Sequence, residues 1–336
     1  MSARARWIVA LAALAVAAGC GGDEPAAEKQ AGKRVEPFEL MLDYFPNADH
    51  AGIYAAEAGG HFSAAGLELA IRQPPDPAAP LKQVAAGRTD LAISYEPEVL
   101  RARDQGLDVV AVGALVQAPL TSLISLPEAK IERAEDLAGK RVGTAGIDYQ
   151  SAYLDTILAK AGVPRSRVRE RNVGFSLSPA LLTGRVDAVL GAFWNYEGTE
   201  LRLKGRDPRI LRMEQVGVPT YDELVLVASE RALREQGGQI RSFLAALARG
   251  AADLERDPGR AIEGLLEANR DLDPKLQREV VKVTLPLFAA PPGKPYGYQD
   301  PAEWRAFGDW MHANRLLKRA GADGAFTNEY LPPAEG

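Results

Sequence analysis

From residue 38 to residue 229, short apolar runs alternate with amphipathic stretches, the pattern of an α/β protein with largely parallel sheets. The run "FELMLDYF" (38–45) predicts a strand, Pro46-Asn47 breaks it, and "ADHAGIYAAEAGG" predicts a helix stopped by Gly59-Gly60. "LELAIRQ" (67–73), "DLAISY" (90–95) and "DVVAVGALV" (108–116) predict further strands, separated by the rigid loop "PPDPAAP" and a helix over "LKQVAAG". A second unit opens near "AEDLAGKRVGTAG" (134–146) and runs through the helix "SAYLDTILAKAG" (151–162), "RVRERNVG" (167–174), "SPALLTG" and the buried run "VDAVLGAF" (186–193). "YDELVLVAS" (221–229) predicts a strand that leads back to the first unit, and the chain beyond Glu230 is mostly helical.

The two units echo one another. "PLKQVAAGRTDLAISYEPE" and "SPALLTGRVDAVLGAFWNYE" share the order helix, Gly-Arg-x-Asp, apolar strand, aromatic, glutamate. Each unit therefore has a strand whose carboxyl end delivers rings and acids, which is where ligands bind in open α/β sheets. Two such edges facing one another would enclose a cleft between two lobes.

The N-terminus follows a different pattern. Arg4 and Arg6 precede an apolar stretch from Trp7 to Ala18 that ends in Gly19-Cys20. A basic head, a short apolar middle and small residues describe a secretory signal, too short to span ~30 Å of hydrocarbon as a helix. Cys20, the sole cysteine of the chain, sits where a bacterial lipobox places its lipidated residue. Ala17 departs from the leucine common there, and ordinary signal cleavage is the alternative. Residues 21–36, "GGDEPAAEKQAGKRVE", are small and charged and read as a disordered tether with a reach of roughly 20–25 Å. The expected organisation is a signal at 1–19, lipidated Cys20 and tether at 20–36, one lobe from 37–122 with 229–336, and a second from 123–228. Loss of the signal removes two arginines and no acids, taking the formal charge from −5 to −7. That balance argues against nucleic acid as a partner.

The chain has no P-loop, no G-x-S-x-G elbow, no H-E-x-x-H and no G-x-G-x-x-G after a strand. Its three histidines (50, 61 and 312) have no metal-ligand spacing, so neither a metal nor a cofactor is expected. What remains is polar and aromatic residues at strand ends: Asp43, Tyr44, Asn47 and His50; Ser94, Tyr95 and Glu96; Trp194, Asn195 and Glu197. Rings flanked by donors and acceptors suit a flat heteroaromatic ligand. Structural roles compete at several of these positions. Asn47 or Asp49 can cap the following helix, Tyr54 and Phe193 can belong to the core, and Glu96 and Glu98 flank Pro97 at a helix start that favours carboxylates.

The segments "DYFPNADHAGIYAAEAGGHF", "GRTDLAISYEPEVLRARDQG", "GALVQAPLTSLIS", "DLAGKRVG", "VGFSLSPALLTGRVDAVLGAFWNYEG" and "GVPTYDELVLVAS" together resemble the thiamine-pyrimidine (NMT1/THI5-like) branch of ABC-transporter solute-binding proteins. The resemblance implies a two-lobed periplasmic-binding-protein fold of type II, each lobe a mixed, mostly parallel sheet flanked by helices. It implies a monomer that closes over a pyrimidine precursor and hands it to permease and ATPase subunits, here from a lipid anchor outside the cytoplasm. Riboflavin and sulfonate binders such as those for taurine are more distant relatives and give alternative ligands. An enzyme branch of the family makes the pyrimidine with a lysine and a sacrificed histidine in the stretch matched by "ISYEPEV", and carries a cysteine-rich segment near "GVPTYDELVLV". This chain has Ser94 and Glu98 in the first stretch and no cysteine in the second, so no enzyme is expected.

On that reading one ring, Trp194 with Tyr44 or Tyr95 opposite, sandwiches the base. Glu197 accepts from its amine, and Asn47, Ser94 and Asn195 complete the edge.

Overall fold

The computed structural model describes residues 35–334; the signal, Cys20 and nearly all of the tether lie outside the described residues. Ten strands are present among them. They are β1 (Glu36–Met41), β2 (Leu67–Arg72), β3 (Leu91–Ser94), β4 (Val109–Val116) and β5 (Thr121–Ser125), then β6 (Arg141–Thr144), β7 (Arg169–Asn172), β8 (Ala188–Phe193), β9 (Arg209–Arg212) and β10 (Leu224–Ser229). They form two five-stranded sheets, ordered β2-β1-β3-β10-β4 and β7-β6-β8-β5-β9. In each sheet four strands run one way and a single strand, β10 or β5, runs against both neighbours.

The reversed strand has a simple cause. β5 and β10 are the strands on which the chain enters a sheet after crossing from the other one. The crossings run through residues 117–120 and 213–223, beside the carboxyl ends of the co-oriented strands. A strand that starts at that end must run backwards. β10 begins at Leu224, so the return to the first sheet comes a few residues before position 229.

β3, β4, β5 and β10 are buried along their whole length, as expected of strands covered by helices on both faces. β5 and β9 have no counterpart among the apolar runs. "TSLIS" carries polar residues at both ends and "RILR" has only two apolar positions. Each becomes a strand only because the sheet supplies neighbours for it.

Two devices fix the geometry around the strand ends. Glu223, fully buried, accepts from the N–H groups of Leu120 and Thr121 (2.7 Å each), from the Thr121 hydroxyl (2.8 Å) and from the Tyr221 hydroxyl (3.0 Å). One carboxylate thereby pins the two crossings together, with burial pushing its pKa up to about 7. The other device is a close helix pair. Helix Glu230–Arg256, N-capped by the Ser229 hydroxyl on the Ala232 N–H (3.1 Å), lies across helix Ala51–Ala58. A side chain at Gly250 would stand 2.3 Å from the Gly52 carbonyl oxygen, so only glycine permits this approach. The turn just before helix Ala51–Ala58 is part of the site.

Candidate functional site

Beyond β1 the chain bends through Asp43–Asn47 into a short turn, Ala48–His50. The Asn47 side chain accepts from the Asp49 N–H (2.8 Å), and the Asn47 N–H donates to His50 Nδ1 (3.2 Å). With Nδ1 an acceptor, the ring proton lies on Nε2, which donates to Asp43 Oδ1 at 2.9 Å. The Tyr95 hydroxyl donates to Asp43 Oδ2 at 2.8 Å. Both oxygens of a buried carboxylate are thus held in place.

The second sheet contributes the residues after β6 and β8. Gly191 is a bulge within β8, at φ +99°, where the register with β5 shifts. A Cβ there would lie 2.2 Å from Gln150 Nε2, so a glycine is required for the Gln150 amide to fit beneath the strand. Glu197 opens helix Glu197–Leu203, and its Oε2 accepts from the Phe193 N–H at 2.7 Å. Burial pushes its pKa from 4.5 to about 8, opposed by that N–H and its own. Asn195 Nδ2 donates to Asp49 Oδ1 (2.6 Å) and to Thr284 Oγ1 (2.7 Å). Burial likewise raises Asp49 from 3.8 to about 7, opposed by its hydrogen bonds to Asn195 and Thr284. The Tyr44 hydroxyl donates to the Phe175 carbonyl at 2.8 Å, a bond from the first sheet's edge to the second's, and burial drives its pKa far up.

These two sets line a cavity of about 20 Å³. Its wall carries five rings (Tyr44, Tyr95, Tyr149, Phe193, Tyr196), three acids (Asp43, Asp49, Glu197) and two amides (Asn47, Gln150), with Ile147 and Leu177 among the aliphatic remainder and no lysine or arginine. The ring centres of Tyr95 and Tyr149 lie 5.5 Å apart, and those of Tyr95 and Phe193 6.4 Å. Such a volume holds about one water, so a ring-sized molecule enters only when the walls part. A larger cavity of about 430 Å³, against helix Glu230–Arg256, is lined by Arg249, Glu255, Lys294, Tyr296 and several alanines and shares no residue with this set.

Of the ten residues expected from the sequence, Asp43, Tyr44, Asn47, Tyr95 and Glu197 line the cavity, while His50 and Asn195 stand behind the wall and hold Asp43 and Asp49. The other three lie elsewhere. Ser94 donates to Glu98 Oε2 at 2.5 Å, Glu98 being raised to about 7 by burial. Glu96 accepts from the Asp222 N–H (2.7 Å) at the return crossing. Trp194 donates from Nε1 to the Pro119 carbonyl (3.1 Å) under the Arg212 guanidinium, 4.1 Å from its ring centre. Its face is therefore engaged at the outgoing crossing, and the cavity's rings are tyrosines and Phe193.

Sequence reasoning passed over Tyr149, Gln150 and Tyr196, and counted Asp49 only as a cap. "GTAGIDYQ" is a strand-to-helix junction of the same kind as "DYFPNADH", and that signal could have found Tyr149 and Gln150.

Residues 47–261 match the family described as NMT1/THI5 like. The chain is 35% identical over 289 residues to the formylaminopyrimidine-binding protein of Halalkalibacterium halodurans, covering 85% of this chain and 87% of that one. It is 28% identical over 253 residues to the 4-amino-5-hydroxymethyl-2-methylpyrimidine phosphate synthase of Legionella pneumophila, with coverage of 74% and 79%. Among solved structures, the alkanesulfonate-binding protein SsuA of Xanthomonas axonopodis pv. citri superposes with a TM-score of 0.67 at 19% identity, over 88% of this chain and 99% of that one. The fold is accordingly that of the periplasmic binding proteins.

Proposed function

The chain belongs to the NMT1/THI5-like family, and from that premise we propose that it captures an aminopyrimidine of the hydroxymethylpyrimidine or formylaminopyrimidine type. The observation that carries this reading is the composition of this cavity: rings and carboxyl groups from both sheets, without a cation. Rings stack on a flat base. A carboxyl group matches an aminopyrimidine edge, accepting from the exocyclic amine with one oxygen and sharing a proton with the adjacent ring nitrogen through the other. Glu197, with its pKa near 8, can hold that proton itself or yield it to the ligand, so the pair forms either way. A sulfonate finds no counter-charge here.

Association costs ~4–15 kcal/mol of lost freedom, which a few open contacts do not offset. Closure of the walls supplies the rest by drying the site, so capture and closure are a single event. Delivery to a permease and ATPase of the ABC class, from an extracytoplasmic position held by lipidated Cys20, completes the proposal. No helix among the described residues is long and apolar enough to cross a membrane.

The synthase-named relative raises a second reading, catalysis. Against it, the stretch that resembles the enzyme branch's lysine and histidine segment holds Ser94 and Glu98, bonded to one another, and the chain's single cysteine is Cys20.

The test is calorimetric titration and thermal unfolding of the purified protein with hydroxymethylpyrimidine, formylaminopyrimidine, thiamine, riboflavin and taurine. A pyrimidine present at a hundred times its Kd should stabilise the protein by ~2.7 kcal/mol and be recovered unchanged. Stabilisation by taurine or riboflavin alone would move the assignment to that ligand, and formation of the pyrimidine on incubation with pyridoxal phosphate would restore the enzyme.

A further inference from the structure

Asp49 carries more than its place in the turn requires. It lines the cavity and is buried, at 4% exposure. Its Oδ1 accepts from Asn195 Nδ2 (2.6 Å), and the same amide donates to Thr284 Oγ1 (2.7 Å), whose hydroxyl donates to the Val280 carbonyl (2.8 Å). Asn195 follows β8 of the second sheet. Asp49 follows β1 of the first, and helix Pro274–Thr284 packs on its turn. One amide therefore ties the two lobes together. Asp49 Oδ2, by contrast, is buried and has no hydrogen-bond partner. A bare buried carboxyl oxygen is unfavourable because no bond replaces the water it gave up.

We infer that Asp49 is a second recognition carboxyl group of this site, taking a ligand donor on Oδ2 while its Oδ1 holds the lobes closed through Asn195. The inference rests on the aminopyrimidine reading and adds a ligand requirement. The ligand must present two donors on separate edges of the ring, the amine to Glu197 and a further N–H or O–H to Asp49. The hydroxyl of a hydroxymethyl substituent, or the N–H of a formylamino group, provides the second. A ring with methyl in that position does not. Because the same carboxyl group bonds Asn195, a ligand that satisfies Asp49 also fixes the residue on which lobe closure depends.

The experiment titrates wild type, Asp49→Asn and Asn195→Ala with 4-amino-5-hydroxymethyl-2-methylpyrimidine and with its 5-methyl counterpart. Wild type should prefer the hydroxymethyl compound by roughly 10-fold or more, the range of a hydrogen bond to a charged or strongly polar partner. In Asp49→Asn that preference should fall to about 3-fold or less, because an amide N–H₂ meets the donor where an oxygen stood. Asn195→Ala should weaken both ligands alike and keep the preference, since it cuts the tie and leaves Oδ2 in place. An Asp49→Asn protein that loses affinity for both ligands equally makes Asp49 merely structural and overturns the inference. So does a wild type that binds both equally, which decides the matter even if Asp49→Asn does not fold. If wild type binds neither compound, the aminopyrimidine reading itself falls, an outcome distinct from the other two.

Discussion

Replacing Glu197 by glutamine keeps the shape of the side chain and one acceptor for the Phe193 N–H, while removing the proton that the carboxyl group gains or gives up. Two effects of different sign should follow. Affinity for an aminopyrimidine should drop, because a hydrogen bond to a charged partner contributes ~1.5–3 kcal/mol, equivalent to roughly 10- to 150-fold in Kd. Stability should move the other way. The folded-state pKa of Glu197 is raised, from 4.5 to about 8, so the folded protein holds the proton more tightly than the unfolded chain. The stabilisation from this group is present in full below pH 4.5, about 5 kcal/mol at most, and is lost as pH rises to 8. Glutamine has no such slope. The unfolding temperature of Glu197→Gln relative to wild type should therefore climb between pH 5 and pH 8 while pyrimidine affinity at pH 7 falls. Calorimetric titration and scanning calorimetry across that range measure both. Unchanged affinity would remove Glu197 from recognition, and a pH-independent stability difference would show that it does not titrate as its burial requires.

Other consequences can be checked separately. Asp49 and Glu197, with pKa values raised to about 7 and about 8 by burial, favour the closed form while protonated, so the ligand-free protein should open as pH rises through 7–8. Small-angle scattering at pH 6 and pH 9 reads this as an increase in radius of gyration, and a constant radius would contradict it. Tyr44→Phe deletes the hydroxyl that reaches the Phe175 carbonyl and should weaken ligand binding by roughly 2- to 10-fold, the worth of a neutral hydrogen bond; titration with unaltered Kd would show that this bond does not hold the closed form. Gly250→Ala forces a methyl to 2.3 Å from the Gly52 carbonyl and should cost ~1–3 kcal/mol of stability. Denaturant unfolding with the wild-type midpoint would mean that the helices separate freely. Gly191→Ala meets both a positive φ and the Gln150 amide, and it should lower ligand affinity together with stability, whereas stability alone would fall if Gln150 were remote from the ligand.

The sequence by itself determined the class of fold and marked the strand ends at which the candidate residues lie. Short apolar runs set off by glycine- or proline-marked turns and amphipathic stretches are local patterns, and local physics suffices to read them. Asp43, Tyr44, Asn47, Tyr95 and Glu197 were legible for the same reason: each lies just past a strand whose end is visible in the pattern. β5 and β9 were not, since four- and five-residue strands with polar ends gain their conformation from sheet neighbours distant in sequence. Direction was likewise decided in three dimensions, because only the position of the two crossings makes β5 and β10 run backwards.

Side-chain orientation was the other tertiary decision. Trp194 and Glu197 are three residues apart, yet the Pro119 carbonyl and the Arg212 guanidinium hold the tryptophan at the crossing while the start of a helix turns the glutamate inward. Asp49 reads as a helix cap until the opposite lobe brings Asn195 to within 2.6 Å of it. A hydrogen bond spanning 146 residues of chain has no local signature, and the closed arrangement that forms it exists only once both sheets are built.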